Sequence, residues 1–126
     1  MKMVDIVEFR RAIGEFNDGH YFECHDTLET LWLLASGEEK RFLQGLIQVS
    51  VGFYHFSNGN PSGAISQWGK GSRKLETFGP GYAGLDHAAL LASVAEWVGI
   101  ASRVLCGEKV LTENVKTPIF KFNLNS

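Results

Sequence analysis

The chain of 126 residues has little cysteine, little proline and almost no excess charge, and each shortage excludes a class of protein. Two cysteines, Cys24 and Cys106, are too few for a disulfide scaffold, so we expect reduced thiols. With three prolines, no repeat and no low-complexity tract, nothing marks a linker, and we predict one domain over residues 1–126. A net charge of -2 gives no electrostatic basis for binding nucleic acid or an anionic membrane.

Long hydrophobic runs are also missing. Charged residues recur through the first eleven positions, so we expect no signal peptide and a cytoplasmic protein. The longest stretch without Asp, Glu, Lys or Arg covers residues 42–69, and Gln, Ser, His and Asn interrupt it, so we expect no membrane span. It begins in the third predicted helix, about residues 38–57, which we expect to be central and buried.

Apolar residues recur at helical spacing in successive segments, and with 44% hydrophobic residues this predicts an all-α domain of about five helices. In the second helix, about residues 21–35, the apolar positions are Phe22, Leu28, Leu31 and Trp32. Capping and turn residues delimit the helices: Asn17-Asp18-Gly19, Ser36 with Glu39, Asn60-Pro61, Gly79-Pro80-Gly81, Asp86 and Gly107.

The end of the chain has a different pattern. Phe120, Phe122 and Leu124 alternate with polar residues after Thr117-Pro118. This alternation predicts an extended C-terminal tail laid across the bundle. Exposed apolar residues in this tail would also allow a homodimer.

Two glycines, Gly45 and Gly52, lie seven residues apart in the third helix and share a face. Each costs about 1 kcal/mol relative to alanine in a helix interior. We therefore expect another part of the backbone to approach the third helix closely on this face.

A narrow polar stripe runs along the third helix. At 100° per residue its members fall within a sector of about 60°, while the rest of the circle is apolar. They are Arg41, Gln44, Gln48 and His55. Such a stripe should face other protein and find hydrogen-bond partners there. His25 and Glu29, one turn apart on the second helix, are the candidates, so we predict that the two groups meet between helices two and three.

Two interpretations of this cluster remain open. In the first, it is a satisfied hydrogen-bond network that sets helix register. In the second, His25, Glu29 and His55 are ligands of a divalent metal, as in two-histidine-one-carboxylate iron sites or catalytic zinc sites, and the metal activates water or binds a small-molecule ligand. Glu29 and His55 could also act as a catalytic acid–base pair without a metal. The substrate-binding positions are then Trp32, Arg41, Gln44 and Gln48.

Other polar residues give weaker indications of a functional site. Lys70, Arg73 and Lys74 share the fourth helix and, with Arg41 nearby, either hold an anionic group or form a solvated face with ordinary salt bridges. Asp26 lies about 100° around the helix from its neighbour His25, so we do not expect it in the cluster. His20 and His87 flank helix starts and are expected to be exposed.

Three sequence blocks form a recognisable pattern. Residues 16–32 contain a glycine, an aromatic pair, a histidine followed by an acid, then a glutamate and a tryptophan, and residues 42–48 and 54–64 follow in order. Over about half of the chain these blocks resemble the domain-of-unknown-function family 309. The resemblance implies a compact all-helical cytoplasmic protein of bacteria, archaea or plastids, with no established reaction. Asp26 stands where the family more usually has glutamate, which keeps the charge but shortens its reach. The positions that the resemblance marks are His25, Glu29, Trp32, Gln44, Gln48 and His55.

An alternative function comes from another class. The chain would be a non-catalytic helical interaction module, in which the His/Glu/Gln cluster sets packing and an exposed aromatic surface binds a partner. Substitution separates the two classes, because a structural cluster should lose about 1–3 kcal/mol of stability when Glu29 or His55 is truncated. A metal site should instead lose its metal.

Overall fold

The computed structural model describes residues 3–110, which form five α-helices. Connections of two or three residues join the first four helices, and residues 76–86 join the last two. The elements are α1 Met3–Asn17, α2 Tyr21–Leu34, α3 Gly37–Ser57, α4 Pro61–Leu75, a short 3-10 turn at Tyr82–Gly84, and α5 His87–Leu105. No strand occurs within these described residues. The prediction of an all-α fold with about five helices is confirmed. The predicted extended tail lies outside the described residues.

Local sequence signals set two helix starts as predicted. The Gly63 amide donates to Asn60 Oδ1 at 2.9 Å, with Pro61 in the first turn, and the Ala89 amide donates to Asp86 Oδ1 at 3.2 Å. At α3 the outcome differs, because Ser36 is the N-cap but makes no side-chain capping bond.

The reason for the missing capping bond lies in the next residue. Gly37 has a φ of +62°, so the first turn of α3 does not have the helical backbone that a capping box between Ser36 and Glu39 requires. Glycine adopts this conformation without a steric penalty. α3 therefore begins close to the predicted residue, but without the predicted side-chain capping bond.

The central position predicted for α3 is confirmed. α3 packs against α2 on one side and against α4 on the other, while α1 packs on α2 and α5 on α4. The buried apolar side chains of α3 are Phe42, Leu43, Leu46, Val49 and Phe53. Helix contacts are therefore made chiefly between neighbours in the chain.

Glycines allow α4 to lie close against α3. A Cβ atom built on Gly71 would lie 2.7 Å from the carbonyl oxygen of Gly45, so the two backbones nearly touch. A Cβ on Gly52 would lie 2.3 Å from Cδ1 of the Trp68 ring. The close approach expected at Gly45 is therefore backbone against backbone, whereas at Gly52 the space is filled by an indole ring.

The turn between α4 and α5 is fixed by His87. The prediction that His87 is exposed was wrong: it is 5% exposed, and its Nε2 lies 3.0 Å from the carbonyl oxygen of Phe78. The His87 ring also meets Phe42 edge-on, at 6.0 Å between ring centres. A polar residue at a helix start is buried here because the turn supplies an acceptor for its N–H group.

α5 buries one face, through Leu90, Val94, Trp97 and Ala101. By length and composition α5 could cross a membrane, since an 18-residue window has a mean hydropathy of 1.5, with 28% of that window buried. A helix packed against a protein core can have the same composition. Composition alone therefore does not assign α5 to a membrane.

Candidate functional site

Three ionisable side chains meet on the surface of α2. His25 Nε2 lies 3.0 Å from Glu29 Oε2, and His25 Nδ1 lies 3.3 Å from Asp26 Oδ1. The contact with Glu29 follows from the i, i+4 spacing. The expectation that Asp26 stays apart was wrong, because its short side chain turns towards the ring nitrogen nearest the backbone. Each ring nitrogen of His25 therefore faces a carboxylate.

This geometry bears on the predicted metal ligands His25, Glu29 and His55. Within residues 3–110 no group of three His, Cys, Asp or Glu side chains is placed to hold a metal ion. A neutral imidazole has one N–H group and one lone pair, so only one ring nitrogen of His25 can bind a metal while the other donates to a carboxylate. The structure does not assemble these three residues into a ligand set.

Three members of the polar stripe of α3 are half-buried and the fourth is exposed. Gln48 Oε1 accepts a hydrogen bond from Lys74 Nζ at 2.8 Å, so Gln48 lies at the boundary with α4, whereas the sequence predicted the boundary with α2. Gln44 and His55 are half-buried, and Arg41 is exposed. In the part of the chain that the structure describes, no hydrogen bond joins His25 or Glu29 to the stripe.

Trp32, a predicted substrate-binding position, is half-buried where α2 meets α3. The Lys40 ammonium lies 4.2 Å from the centre of its ring, which is cation–π geometry. The indole Nε1 is buried and has no acceptor among residues 3–110. One face of Trp32 is therefore occupied by a side chain of this protein.

Two aromatic rings lie at the surface beside His25. Phe22 is 49% exposed and Tyr54 is 38% exposed, with 5.5 Å between their ring centres. The centre of the Phe22 ring is 6.0 Å from that of His25. We call Phe22, His25 and Tyr54 the aromatic surface. Phe22 was predicted as one of the apolar positions of the second helix. A helical wheel does not show where the neighbouring helix ends, so it did not predict that Phe22 is exposed.

Cys24 lies on the buried side of α2. Its Sγ is 3.3 Å from Ser50 Oγ, and the Ser50 hydroxyl donates to the carbonyl oxygen of Leu46 at 3.0 Å. Burial is the largest cause that raises the pKa of the Cys24 thiol to about 12. Because the thiolate is the reactive form, Cys24 is a structural thiol.

The two cysteines should differ sharply towards a thiol reagent. At a pH of about 8 we expect the folded protein to react at the exposed Cys106 and not at the buried Cys24. Titration with a chromogenic disulfide should count one thiol in buffer and two in denaturant. A Cys106→Ser variant is the control, and rapid reaction of that folded variant would contradict the burial of Cys24.

Comparison with known sequences finds a matching family model. A model of the family described as "Domain of unknown function (DUF309)" matches residues 9–67. The resemblance to this family is confirmed. The DUF309 match covers most of α1, all of α2 and α3, and the start of α4. It therefore includes the aromatic surface and ends within α4.

Two curated relatives also match. The "Uncharacterized protein YpuF" of Bacillus subtilis (strain 168) is 36% identical over 74 residues, which are 56% of this chain and 42% of the relative. An "Uncharacterized protein" of Aquifex aeolicus (strain VF5) is 37% identical over 57 residues, 44% of this chain and 17% of the relative. The matched part of the chain thus spans less than half the length of either relative.

Proposed function

We propose that this DUF309 protein is a recognition module that binds a segment of a partner protein through the aromatic surface. The exposure of Phe22 and Tyr54 on two adjacent helices carries the proposal. Aromatic side chains dominate binding energy at many protein interfaces, because they bury a large area at the cost of few rotatable bonds. The interaction-module alternative therefore has more support than a metal-dependent reaction.

The charges beside the aromatic surface indicate the chemistry of the partner. Asp26 and Glu29 extend from α2 next to His25, with 61% and 51% of their side-chain surface exposed. Carboxylates at the rim of an interface favour partners of opposite charge and repel acidic ones. We infer that the bound segment carries an apolar side chain flanked by lysine or arginine.

Selection from a random peptide library tests this proposal. We expect enriched peptides to contain an apolar residue flanked by basic ones, with affinity that falls as salt rises. Truncation of a central aromatic residue typically costs at least about 2 kcal/mol at an interface, so Phe22→Ala and Tyr54→Ala should each weaken a selected peptide by more than tenfold.

The matched control is Leu105→Ala, because Leu105 is also an exposed apolar residue, at 53%, but lies at the end of α5. The Leu105→Ala protein should bind the selected peptides with the same affinity as the wild type. Circular dichroism should show that all three variants are folded. Peptides that bind the Phe22→Ala and Tyr54→Ala proteins as tightly as the wild type would refute the aromatic surface as the binding site.

A further inference from the structure

Four cations converge where α3 meets α4: Arg41 on α3, and Lys70, Arg73 and Lys74 on α4. The three on α4 stand at i, i+3 and i+4 and so share a face. The pKa of Lys74 is lowered, first by burial of its ammonium group and then by the positive charges of Arg41, Arg73 and Lys70. Lys74 therefore lies within electrostatic reach of the other three cations. We call these residues the cation cluster.

Carboxylates of the described chain do not neutralise the cation cluster. Between residues 3 and 110 none of its members forms an ion pair, although Arg11 pairs with Glu8 and Glu15, and Arg103 pairs with Glu108. The expectation of ordinary salt bridges on this face is therefore not met there. Like charges held together cost free energy, which a bound anion would recover.

The helices hold the cation cluster in place. The α3 and α4 backbones lie in close contact at Gly45 and Gly71, and Gly71 is the residue next to Lys70. Lys74 is anchored by its 2.8 Å hydrogen bond to the half-buried Gln48. The Arg73 guanidinium lies against α4, with Nη1 3.5 Å from the position of a Cβ atom on Gly69. Lys74 is thus positioned by this chain before any ligand arrives.

We propose that the cation cluster, with Gln48, binds the phosphate group of a small molecule. A phosphate dianion accepts several charge-assisted hydrogen bonds, and arginine and lysine are the side chains that supply them. Gln48 can turn its amide N–H group towards an anion. This site lies at the boundary of α3 with α4 and is separate from the aromatic surface, so either proposal can fail without the other.

The overall charge argues for a small ligand rather than a nucleic acid. Nucleic-acid binding proteins usually carry a basic stripe that follows many phosphates, and their affinity depends on the number of phosphates neutralised. Here the net charge is -2, and the cation cluster occupies one place, where α3 meets α4. Such a local cluster matches one or two phosphate groups.

Titration with inorganic phosphate and pyrophosphate, followed by amide chemical shifts at constant ionic strength, tests the site. We expect saturable shifts confined to the segments 41–48 and 69–75, with pyrophosphate binding more tightly than phosphate. Arg41→Gln and Lys74→Gln should each weaken pyrophosphate by about tenfold, which is the loss of one charge-assisted hydrogen bond of about 1.4 kcal/mol.

Two control variants test whether pyrophosphate binds specifically at the cation cluster. Lys109→Gln removes an exposed cation elsewhere in the chain and should leave pyrophosphate affinity unchanged. Phe22→Ala should also leave it unchanged, which separates this site from the proposed function. Shifts that never saturate, or that weaken equally in Lys109→Gln, would overturn the proposal and show non-specific attraction. Tighter binding of a short single-stranded RNA, lost in Lys74→Gln, would also overturn it in favour of nucleic acid.

Discussion

Replacing Gly52 with alanine is expected to lower the free energy of unfolding by about 3 kcal/mol, the upper part of the usual range for overpacking. The added Cβ atom would lie 2.3 Å from Trp68 Cδ1 and 2.4 Å from Trp68 Nε1. The indole is fully buried and packs edge-on against Phe53, at 4.8 Å between ring centres, so it cannot swing into solvent. The clash outweighs the better helix propensity of alanine, about 1 kcal/mol.

A second glycine provides the control. Gly14 is an exposed residue of α1, and a Cβ atom there would meet nothing within 4 Å. Gly14→Ala should therefore raise the free energy of unfolding by about 0.5–1 kcal/mol. Urea unfolding followed by circular dichroism measures both variants. A Gly52→Ala protein as stable as the wild type would mean that α4 does not lie this close to α3.

Replacing Trp68 with alanine is expected to cost about 3–5 kcal/mol, because a large buried ring is lost and its neighbours can close the space only in part. Trp68 is 0% exposed and contacts α3 through Gly52, Phe53 and Phe56. In a domain of this size a loss of 3 kcal/mol lowers the melting temperature by more than 10 °C by the usual scaling. Thermal unfolding by calorimetry gives the value.

A smaller aromatic ring separates volume from hydrogen bonding at this position. The Trp68 Nε1 group is buried without an acceptor among residues 3–110, so Trp68→Phe loses ring volume but removes an unpaired donor. It should cost clearly less than Trp68→Ala. If the two variants were equally unstable, an acceptor for Nε1 would have to exist.

The effects of Gly52→Ala and Trp68→Ala on the free energy of unfolding should be strongly coupled. With alanine at position 68 the obstacle to a Cβ atom at Gly52 is gone, so Gly52→Ala should become neutral or stabilising in that background. A double-mutant cycle reads this coupling directly. Additive effects would show that the two residues are not in contact.

The helices could be predicted because their signals are local. Asn60 and Asp86 cap their helices through bonds to residues three positions ahead, and the spacing of His25 and Glu29 places them one turn apart. Each of these contacts lies within a single helix or its first turn. None depends on how the chain is folded back on itself, so sequence spacing was sufficient.

The partners of α3 could not be predicted in the same way. A helical wheel correctly puts Gln48 on the face of Arg41 and Gln44, but it does not say which neighbouring helix that face meets. Gln48 meets Lys74 of α4 instead of His25 of α2. The missing information was that α4 packs against this face. The glycines of α3 indicated a close contact, but not which helix makes it.

The order of helix packing has a consequence for how the chain folds. Each helix rests mainly on the one before it and the one after it, from α1 through α5. The connections between α1 and α4 are two or three residues long, so closing them costs little chain entropy. Helical proteins rich in contacts between neighbouring helices fold in microseconds to milliseconds. This protein should therefore assemble quickly, and during synthesis α1, α2 and α3 can begin to pack before α5 has been made.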